Sequence, residues 1–259
     1  MMKRPGRVLG GVIVLAIVLA AVCAPWLSAQ NPNASGDDLM APASAAHWFG
    51  TDDLGRDVFT RVLFGGRVSL LIGVGAACIA CAVGVPAGLL AGYARGWLAV
   101  GMVQVIDLFI AMPGLVLALV ITVVVGPTLL NLMLVLGLVQ WPGMARLVRG
   151  QVLALRDTPF VEAAQALGGS VSWILARHIW PNIARVVAAQ FAVAISVAIF
   201  TSASLSFLGL GLPPPTPDWG SMVQGGFDGL AFNPWLCLGP GAAVSLTILG
   251  FYAIGRSVD

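Results

Sequence analysis

The sequence predicts an all-α protein that crosses a membrane several times. Of its 259 residues, 59% are hydrophobic and 9% are charged, whereas a soluble domain is about 45–50% apolar and about 25% charged. The mean hydropathy of +0.96 exceeds what a water-soluble fold can accommodate, because such a fold could not bury so much apolar surface. The apolar residues also collect in runs near the roughly 20 residues that one helical span requires.

Six such runs predict six membrane-spanning helices. In chain order they cover residues 8–27, 68–93, 98–125, 128–145, 186–212 and 235–254. The first run follows Lys3, Arg4 and Arg7, as the core of a cleaved signal peptide would. Its length of about 20 residues exceeds the usual 7–15 of a signal core and favours an uncleaved span.

Basic residues orient these spans. Cytoplasmic segments carry an excess of Lys and Arg, so we place both chain ends in the cytoplasm. Ten of the 13 basic residues then lie inside: Lys3, Arg4, Arg7, Arg95, Arg146, Arg149, Arg156, Arg177, Arg185 and Arg256. The acidic residues that fall outside are Asp37, Asp38, Asp52, Asp53, Asp57, Asp218 and Asp228.

Polar segments divide the chain into three parts. Residues 1–30 form an N-terminal tail and the first span, and residues 31–66 form an outer segment with a short helix towards its end. Residues 67–259 form a five-helix core that contains an inside loop at 146–182. Prolines 213–215 cannot continue the fifth helix, since proline lacks a backbone N–H.

The inside loop predicts two short amphipathic helices. Thr158-Pro159 is typical of a helix start, and Gly168-Gly169 is a stop signal. The apolar face of the first helix is Phe160, Ala163, Ala164 and Leu167. Ser170 starts the second helix, Pro181 is expected to break it, and its face is Val171, Ile174, Leu175 and His178. Such a face is buried against the protein itself, a lipid surface or a partner.

The residue pattern of this loop resembles that of a known family. Glu162-Ala163-Ala164, Gly168 and Ile179-x-Pro181 are similar to the EAA loop of bacterial ABC importer permeases, in the form typical of the dipeptide, oligopeptide and nickel branch. Flanking segments also resemble the C-type permeases of that branch. They are His47-x-Phe49-Gly50-Thr51-Asp52-x-Leu54-Gly55-Arg56-Asp57, Ser206-Phe207-Leu208-Gly209-Leu210-Gly211 and Pro214-x-Thr216-Pro217-x-Trp219-Gly220.

The resemblance implies a type I importer permease of the bacterial inner membrane that carries peptides or similar small solutes. It also implies a second related permease, two cytoplasmic ATPases that bind ATP and Mg²⁺, and an extracytoplasmic substrate-binding protein. By the same resemblance, a coupling helix in the loop contacts an ATPase. The residues it assigns to that contact are Phe160, Glu162, Ala163, Ala164, Leu167, Gly168, His178 and Pro181.

The chain itself lacks the residues for several other activities. Lys3 is its only lysine, so no P-loop can form and ATP hydrolysis must come from another chain. The two histidines, His47 and His178, fall on opposite sides of the membrane, which excludes a paired-histidine metal site or an intramembrane Ser-His protease. A net charge of +2 with scattered basic residues argues against nucleic acid. We expect no cofactor and no metal.

Two spans contain polar residues with more than one interpretation. Asp107 lies inside the third run, where a carboxylate is costly, so it either pairs with a cytoplasmic-side arginine or serves the translocation path. Ser202 in the fifth run either satisfies backbone carbonyls or lines a polar route. In the second run Gly84, Gly88 and Gly92 share one helix face and predict close packing on a neighbouring helix.

Two other functions would also explain six spans. A secondary transporter or channel would work without an ATPase, but it leaves the Glu162 loop unused and often shows inverted repeats, which we do not find. A membrane-anchored assembly factor is equally compatible with the composition. The loop favours the ABC permease.

Overall fold

The computed structural model describes residues 5–256, which form helices joined by loops, with one isolated β-bridge between Thr51 and Asp57 and no strand within that range. Lys3 and Arg4 lie outside the described residues. The helices are α1 Pro5–Val22, α2 Ala24–Leu27, α3 Val58–Tyr93, α4 Trp97–Ala111, α5 Gly114–Val125, α6 Leu129–Leu155, α7 Pro159–Ala166, α8 Val171–Ile174, α9 Trp180–Leu205, α10 Trp219–Gly226 and α11 Trp235–Arg256.

Long apolar helices confirm the all-α membrane fold. Between residues 5 and 256, four helices are long and apolar enough to cross a bilayer: α3, α6, the continuous helix Val171–Leu210, and α11. The bent pair of α4 and α5 makes a fifth if it counts as one span. Helix α1 is apolar but shorter, so the count of six stays a prediction.

The third run, 98–125, is not the single straight helix that we expected. Helices α4 and α5 meet at an angle of 84° across a break at Met112 and Pro113. Proline disfavours helical geometry in the residue before it, and Met112 accordingly has extended dihedral angles, φ −83° and ψ 132°. Asp107 therefore belongs to a 15-residue half-helix rather than to a full span.

Pro181 does not end the second loop helix, contrary to prediction. The chain continues as one helix from Val171 to Leu210, with π-helical turns at Leu175–Ile179 and Ser206–Leu210. Local π-helical adjustments let a membrane helix accept proline by giving the freed backbone groups new partners. In this turn the Asn182 side-chain amide donates to the His178 carbonyl at 2.6 Å.

The glycine face of α3 packs against α6 as predicted. A Cβ on Gly84 would lie 2.6 Å from the Trp141 carbonyl oxygen, and one on Gly88 would lie 2.5 Å from that of Ala145. Both distances are shorter than a Cβ contact allows. Because the partner residues rise in the same order along both helices, α3 and α6 run parallel, and their backbones approach as closely as small residues permit.

The outer segment leads directly into α3. The short helix expected near residue 66 is the first part of α3, which starts at Val58. The Asp57 carboxylate caps this start by accepting from the Thr60 backbone N–H at 2.7 Å, and its other oxygen lies 2.9 Å from His47 Nδ1. An oxygen at the N-cap satisfies a free helix donor.

Gly88→Ala tests the seam between α3 and α6. The added methyl group overlaps the Ala145 carbonyl, so we expect a loss of about 1–3 kcal/mol of folding stability. The matched control is Gly11→Ala in α1, where the added Cβ meets no atom within 4 Å apart from its chain neighbours and its own helix backbone. Removing a helix-interior glycine there should be neutral or stabilising by up to about 1 kcal/mol. Thermal unfolding of the detergent-solubilised protein distinguishes the two. Equal midpoints would contradict close packing at Gly88.

Candidate functional site

Helix α7 is anchored to the protein core through only one side. Val161 is fully buried and Ala164 is 5% exposed. Both belong to a hydrophobic cluster that includes Val152 of α6 and Ile179 and Ile183 at the start of the long helix. The anchor thus joins α7 to the helices before and after it. The sequence analysis missed Val161, although it lies three residues before Ala164 and so on the same helix face.

The apolar face predicted for α7 is only partly buried. Ala164 faces the core, but Phe160 is 43% exposed, Leu167 is 89% exposed and Ala163 is also exposed. The four residues of the predicted face therefore do not share one environment, because α7 is apolar on two sides. One side holds the helix in place. On the other side Ala163, Leu167 and Glu162 are exposed, and Phe160 contacts the His178 ring.

The sequence predicts where α7 begins and ends, but it does not predict the contact that the Thr158 side chain makes. Pro159 occupies the first helical position as expected, but the Thr158 hydroxyl donates to the Leu155 carbonyl at 2.5 Å instead of capping the helix. At the other end Gly168 has φ +81°, a conformation that glycine adopts without steric cost. Gly168 N–H donates to Gln165 and Gly169 N–H donates to Ala164, which is the Schellman pattern of a helix C-terminus.

The second loop helix is buried through part of its predicted face. Ser170 starts it, and its hydroxyl accepts from the Trp173 N–H at 3.4 Å. Ile174 and Leu175 are buried, whereas Val171 is 51% exposed. His178 is half-buried between aromatic rings, 4.7 Å from the Trp173 centroid and 6.4 Å from that of Phe160.

Polar contacts also fasten the loop to the end of α3. Gln165 Nε2 donates to the Tyr93 hydroxyl at 3.1 Å, and the Arg156 guanidinium donates to the Gly92 carbonyl at 3.1 Å. Arg95 and Asp157 form an exposed ion pair at 3.1 Å. The loop is thus held by α3, α6 and the long helix, so a force on α7 acts on all three.

The two candidate path residues occupy different environments. Asp107 forms an ion pair with Arg146 at 2.5 Å, and the two side chains remain 52% and 56% exposed. Ser202 is 2% exposed, and its hydroxyl has no hydrogen-bond partner among the described residues. The ion pair lies on the helix surface, whereas Ser202 lies inside the helix packing.

Within residues 5–256 there is no group of three or more His, Cys, Asp or Glu side chains that could hold a metal ion. Cys78 and Cys81, which are spaced as C-x-x-C, are both free thiols.

Family comparisons agree with the loop and the helical core. Residues 84–259 match the family described as the binding-protein-dependent transport system inner membrane component. The chain belongs to this family. Residues 1–42 also match the N-terminal TM domain of oligopeptide transport permease C. The chain is therefore a permease subunit of an ABC importer, and ATP hydrolysis belongs to a separate subunit.

Similar proteins cover nearly the whole chain. The dipeptide transport system permease protein DppC of Alkalihalophilus pseudofirmus is 36% identical over 98% of this chain and 84% of its own length. The probable D,D-dipeptide transport system permease protein DdpC of Escherichia coli is 38% identical over 98% of the chain and 86% of its own length. The glutathione transport system permease protein GsiD of Pectobacterium atrosepticum is 36% identical over 98% and 85%.

A solved structure shares the fold. The MetNI methionine ABC transporter in an inward-facing conformation aligns with a TM-score of 0.64 over 76% of this chain and 96% of that chain, at 19% identity.

Two serine substitutions in this permease compare the buried side of α7 with its exposed side. Val161→Ser places a hydroxyl in the apolar cluster and should reduce stability by about 2–4 kcal/mol. Leu167→Ser alters a side chain that is 89% exposed and should leave stability within about 0.5 kcal/mol. Thermal unfolding in detergent measures both. Destabilisation by Leu167→Ser equal to that by Val161→Ser would contradict this division.

Proposed function

We propose that this permease forms the translocation path for peptides or similar small solutes and couples to ATPases through the free face of α7. The cargo class is supported by the similar permeases, whose names specify dipeptides, D,D-dipeptides and glutathione. The coupling role is supported by one observation above all. Leu167 is 89% exposed on a short helix whose opposite side is anchored in the core.

The proposed assembly contains a second related permease, two ATPases that bind ATP and Mg²⁺, and an extracytoplasmic substrate-binding protein. The chain crosses the bacterial inner membrane six times with both ends in the cytoplasm. Ten of the 13 basic residues then lie inside, as the positive-inside rule requires. The match of residues 1–42 to an N-terminal TM domain supports α1 as the sixth span. In this proposal the N-terminal tail and first span are residues 1–30, the outer segment is residues 31–66, and the five-helix core is residues 67–259.

The proposed coupling is mechanical. An ATPase surface binds Phe160, Ala163 and Leu167, while Glu162 offers a charge beside them. ATP-driven closure of the two ATPases moves α7, and the buried Val161 transfers this movement to α6 and the long helix through their shared cluster. Because packed helices shift as rigid bodies, displacement of α7 changes the tilt of the spans. Three further residues set the shape of the coupling loop. Gly168 turns the chain at the end of α7, His178 lies in the π-helical turn, and Pro181 lies near the start of α9.

We further propose that the Asp107–Arg146 pair faces the translocation path or its border with the second permease. Charged side chains within spans are costly and face a bundle interior or water rather than lipid. Here both are more than half exposed, and α4 buries only one of its 15 residues, Ile106. Something other than the described residues therefore covers the pair. Ser202, enclosed by the helices, would reach the path only when α9 moves.

Glu162→Lys tests coupling directly. Reversing this charge should reduce ATP-dependent uptake by about tenfold or more, equivalent to about 1.4 kcal/mol of binding to the ATPase, while the permease still inserts in the membrane. Uptake in vesicles and co-purification with the ATPases measure the effect, and Ala45→Lys in the outer segment is the control. Unchanged uptake and co-purification for Glu162→Lys would contradict the coupling role, and uptake without ATP would indicate a secondary transporter.

A charge exchange tests the Asp107–Arg146 pair. Asp107→Arg alone and Arg146→Asp alone place two like charges together and should each lower uptake by more than tenfold, since like charges at this distance repel strongly. The double exchange restores the pair and should recover a substantial part of the activity. If both single variants transport normally, the pair has no role in the path.

A further inference from the structure

Three sequence segments that coupling does not use converge on one cavity at the end of the protein opposite α7. The segments are 47–57, 206–211 and 214–220, the same ones that resemble importer permeases outside the loop. Each contributes lining residues, among them Asp52, Arg56, Ser206, Gly209 and Thr216, to a cavity of about 590 Å³. The first segment lies far from the other two in sequence, so only the fold brings all three together at this cavity.

The first wall is a tightly folded loop. The Asp52 carboxylate accepts from the backbone N–H groups of Leu54 and Arg56 at 3.0 and 2.9 Å, and from the Arg56 guanidinium at 2.7 Å. Gly55 has φ +71°, and a Cβ there would lie 2.2 Å from the Gly36 carbonyl oxygen. Only glycine fits that position, so the loop fixes Arg56 at the cavity.

The second wall is formed where the long helix ends. Gly209 has φ +84° and turns the chain out of the π-helical turn. Gly220 then packs against this end so closely that a Cβ would lie 2.4 Å from the Ala203 carbonyl oxygen. Asp218, which is 2% exposed, caps α10 beside it, and burial raises the pKa of its carboxyl group. These contacts hold α10, and with it Gly225, against the cavity.

The charges on the lining are unevenly distributed. Two guanidinium groups share one carboxylate, because Asp52 lies 2.7 Å from Arg56 and 3.6 Å from Arg61. The Arg56 and Arg61 side chains are only 12% and 7% exposed, whereas Asp53, 3.7 Å from Arg56, is 74% exposed. The inner part of the cavity therefore has one positive charge in excess, and its rim has a carboxylate.

Apart from the Asp52 carboxylate that it shares with Arg56, the partners of Arg61 are neutral groups that do not cancel its charge. Its guanidinium donates to the Pro32 carbonyl at 2.8 Å and to the Pro215 carbonyl at 3.4 Å. A buried charge is costly unless it is paired, and guanidinium groups bind carboxylates through strong charge-assisted hydrogen bonds. A second carboxylate is the ligand that would complete this arrangement.

We infer that the cavity is a binding site for a small zwitterionic solute, whose carboxylate lies against Arg56 and Arg61 and whose ammonium group lies towards Asp53. The inference rests on the proposed import of peptides and gives that cargo a site on this subunit. The cavity volume suits a dipeptide. Its position at the ends of the long helix and of α5, marked by Gly209 and Pro127, places the bound solute at the mouth of the proposed path.

Protection of an introduced thiol tests the site. In a chain with its four native cysteines replaced by serine, Gly225→Cys adds a reporter at the lining, where the new Cβ meets no atom within 4 Å apart from its chain neighbours and its own helix backbone. The complete transporter in proteoliposomes, without ATP, is labelled with a membrane-impermeant maleimide. Alanyl-alanine should slow labelling by roughly fivefold at several times its dissociation constant, and its C-terminal amide should not.

The matched control is Ala45→Cys, an exposed position in the outer segment that does not line the cavity. Its labelling should not change with the dipeptide. Adding Arg56→Gln to Gly225→Cys should abolish protection while leaving the unprotected labelling rate within about twofold, which shows that the cavity persists.

Equal protection by the dipeptide and its amide, or no protection by either, would overturn the inference. Protection that requires the substrate-binding protein but no dipeptide would also overturn it and would indicate a protein contact. ATP-dependent uptake of alanyl-alanine in the same proteoliposomes tests the proposed function separately. Uptake without protection refutes this site alone, whereas protection without uptake refutes the proposed transport of that dipeptide.

Discussion

The close contact between α3 and α6 is the constraint on which the rest of the structure depends. Gly84 and Gly88 let two parallel helices approach to backbone contact, and the side chains of α6 at this seam extend into the cluster that holds α7. The end of α3 carries Tyr93, which binds Gln165 of the loop. The start of α3 carries Arg61, which lines the opposite cavity. One helix pair thus positions both candidate sites.

Much of the fold could be predicted because membrane spans have a simple signal. Length and apolarity located most of the long helices, and the glycine spacing on α3 identified its packing face. Helix interruptions were harder to predict. A proline can break a helix, as Pro113 does between α4 and α5, or be absorbed in a π-helical turn, as Pro181 is. The outcome depends on whether the backbone groups around the proline find new partners, as they do in the π-helical turn at Leu175–Ile179, and the position of a proline alone does not specify this.

Local sequence also predicted only part of the inside loop that contains α7. Gly168 marked the end of α7 because its positive φ is a local property. The direction of each apolar side chain was not predictable, since α7 carries apolar residues on two sides and the core selects Val161 and Ala164. The outer cavity was also missed, although the sequence held a signal for it. Alternating aspartate and arginine around Gly50 and Gly55 indicates a tight, charged loop, but only the fold brings it to Gly209.

The length of α3 sets where a solute would begin to lose its water. With 36 residues, the helix is about 54 Å long, whereas the hydrocarbon core is only about 30 Å thick. The helix is therefore longer than the hydrocarbon is thick, and the proposed topology puts the excess length at its start. Arg67 donates to the last carbonyls of α1, and Arg61 lies about 9 Å nearer the start of α3. With that start outside the hydrocarbon, as proposed, a zwitterion held beside Arg61 stays in the aqueous layer, so the cost of dehydration is postponed until the spans open.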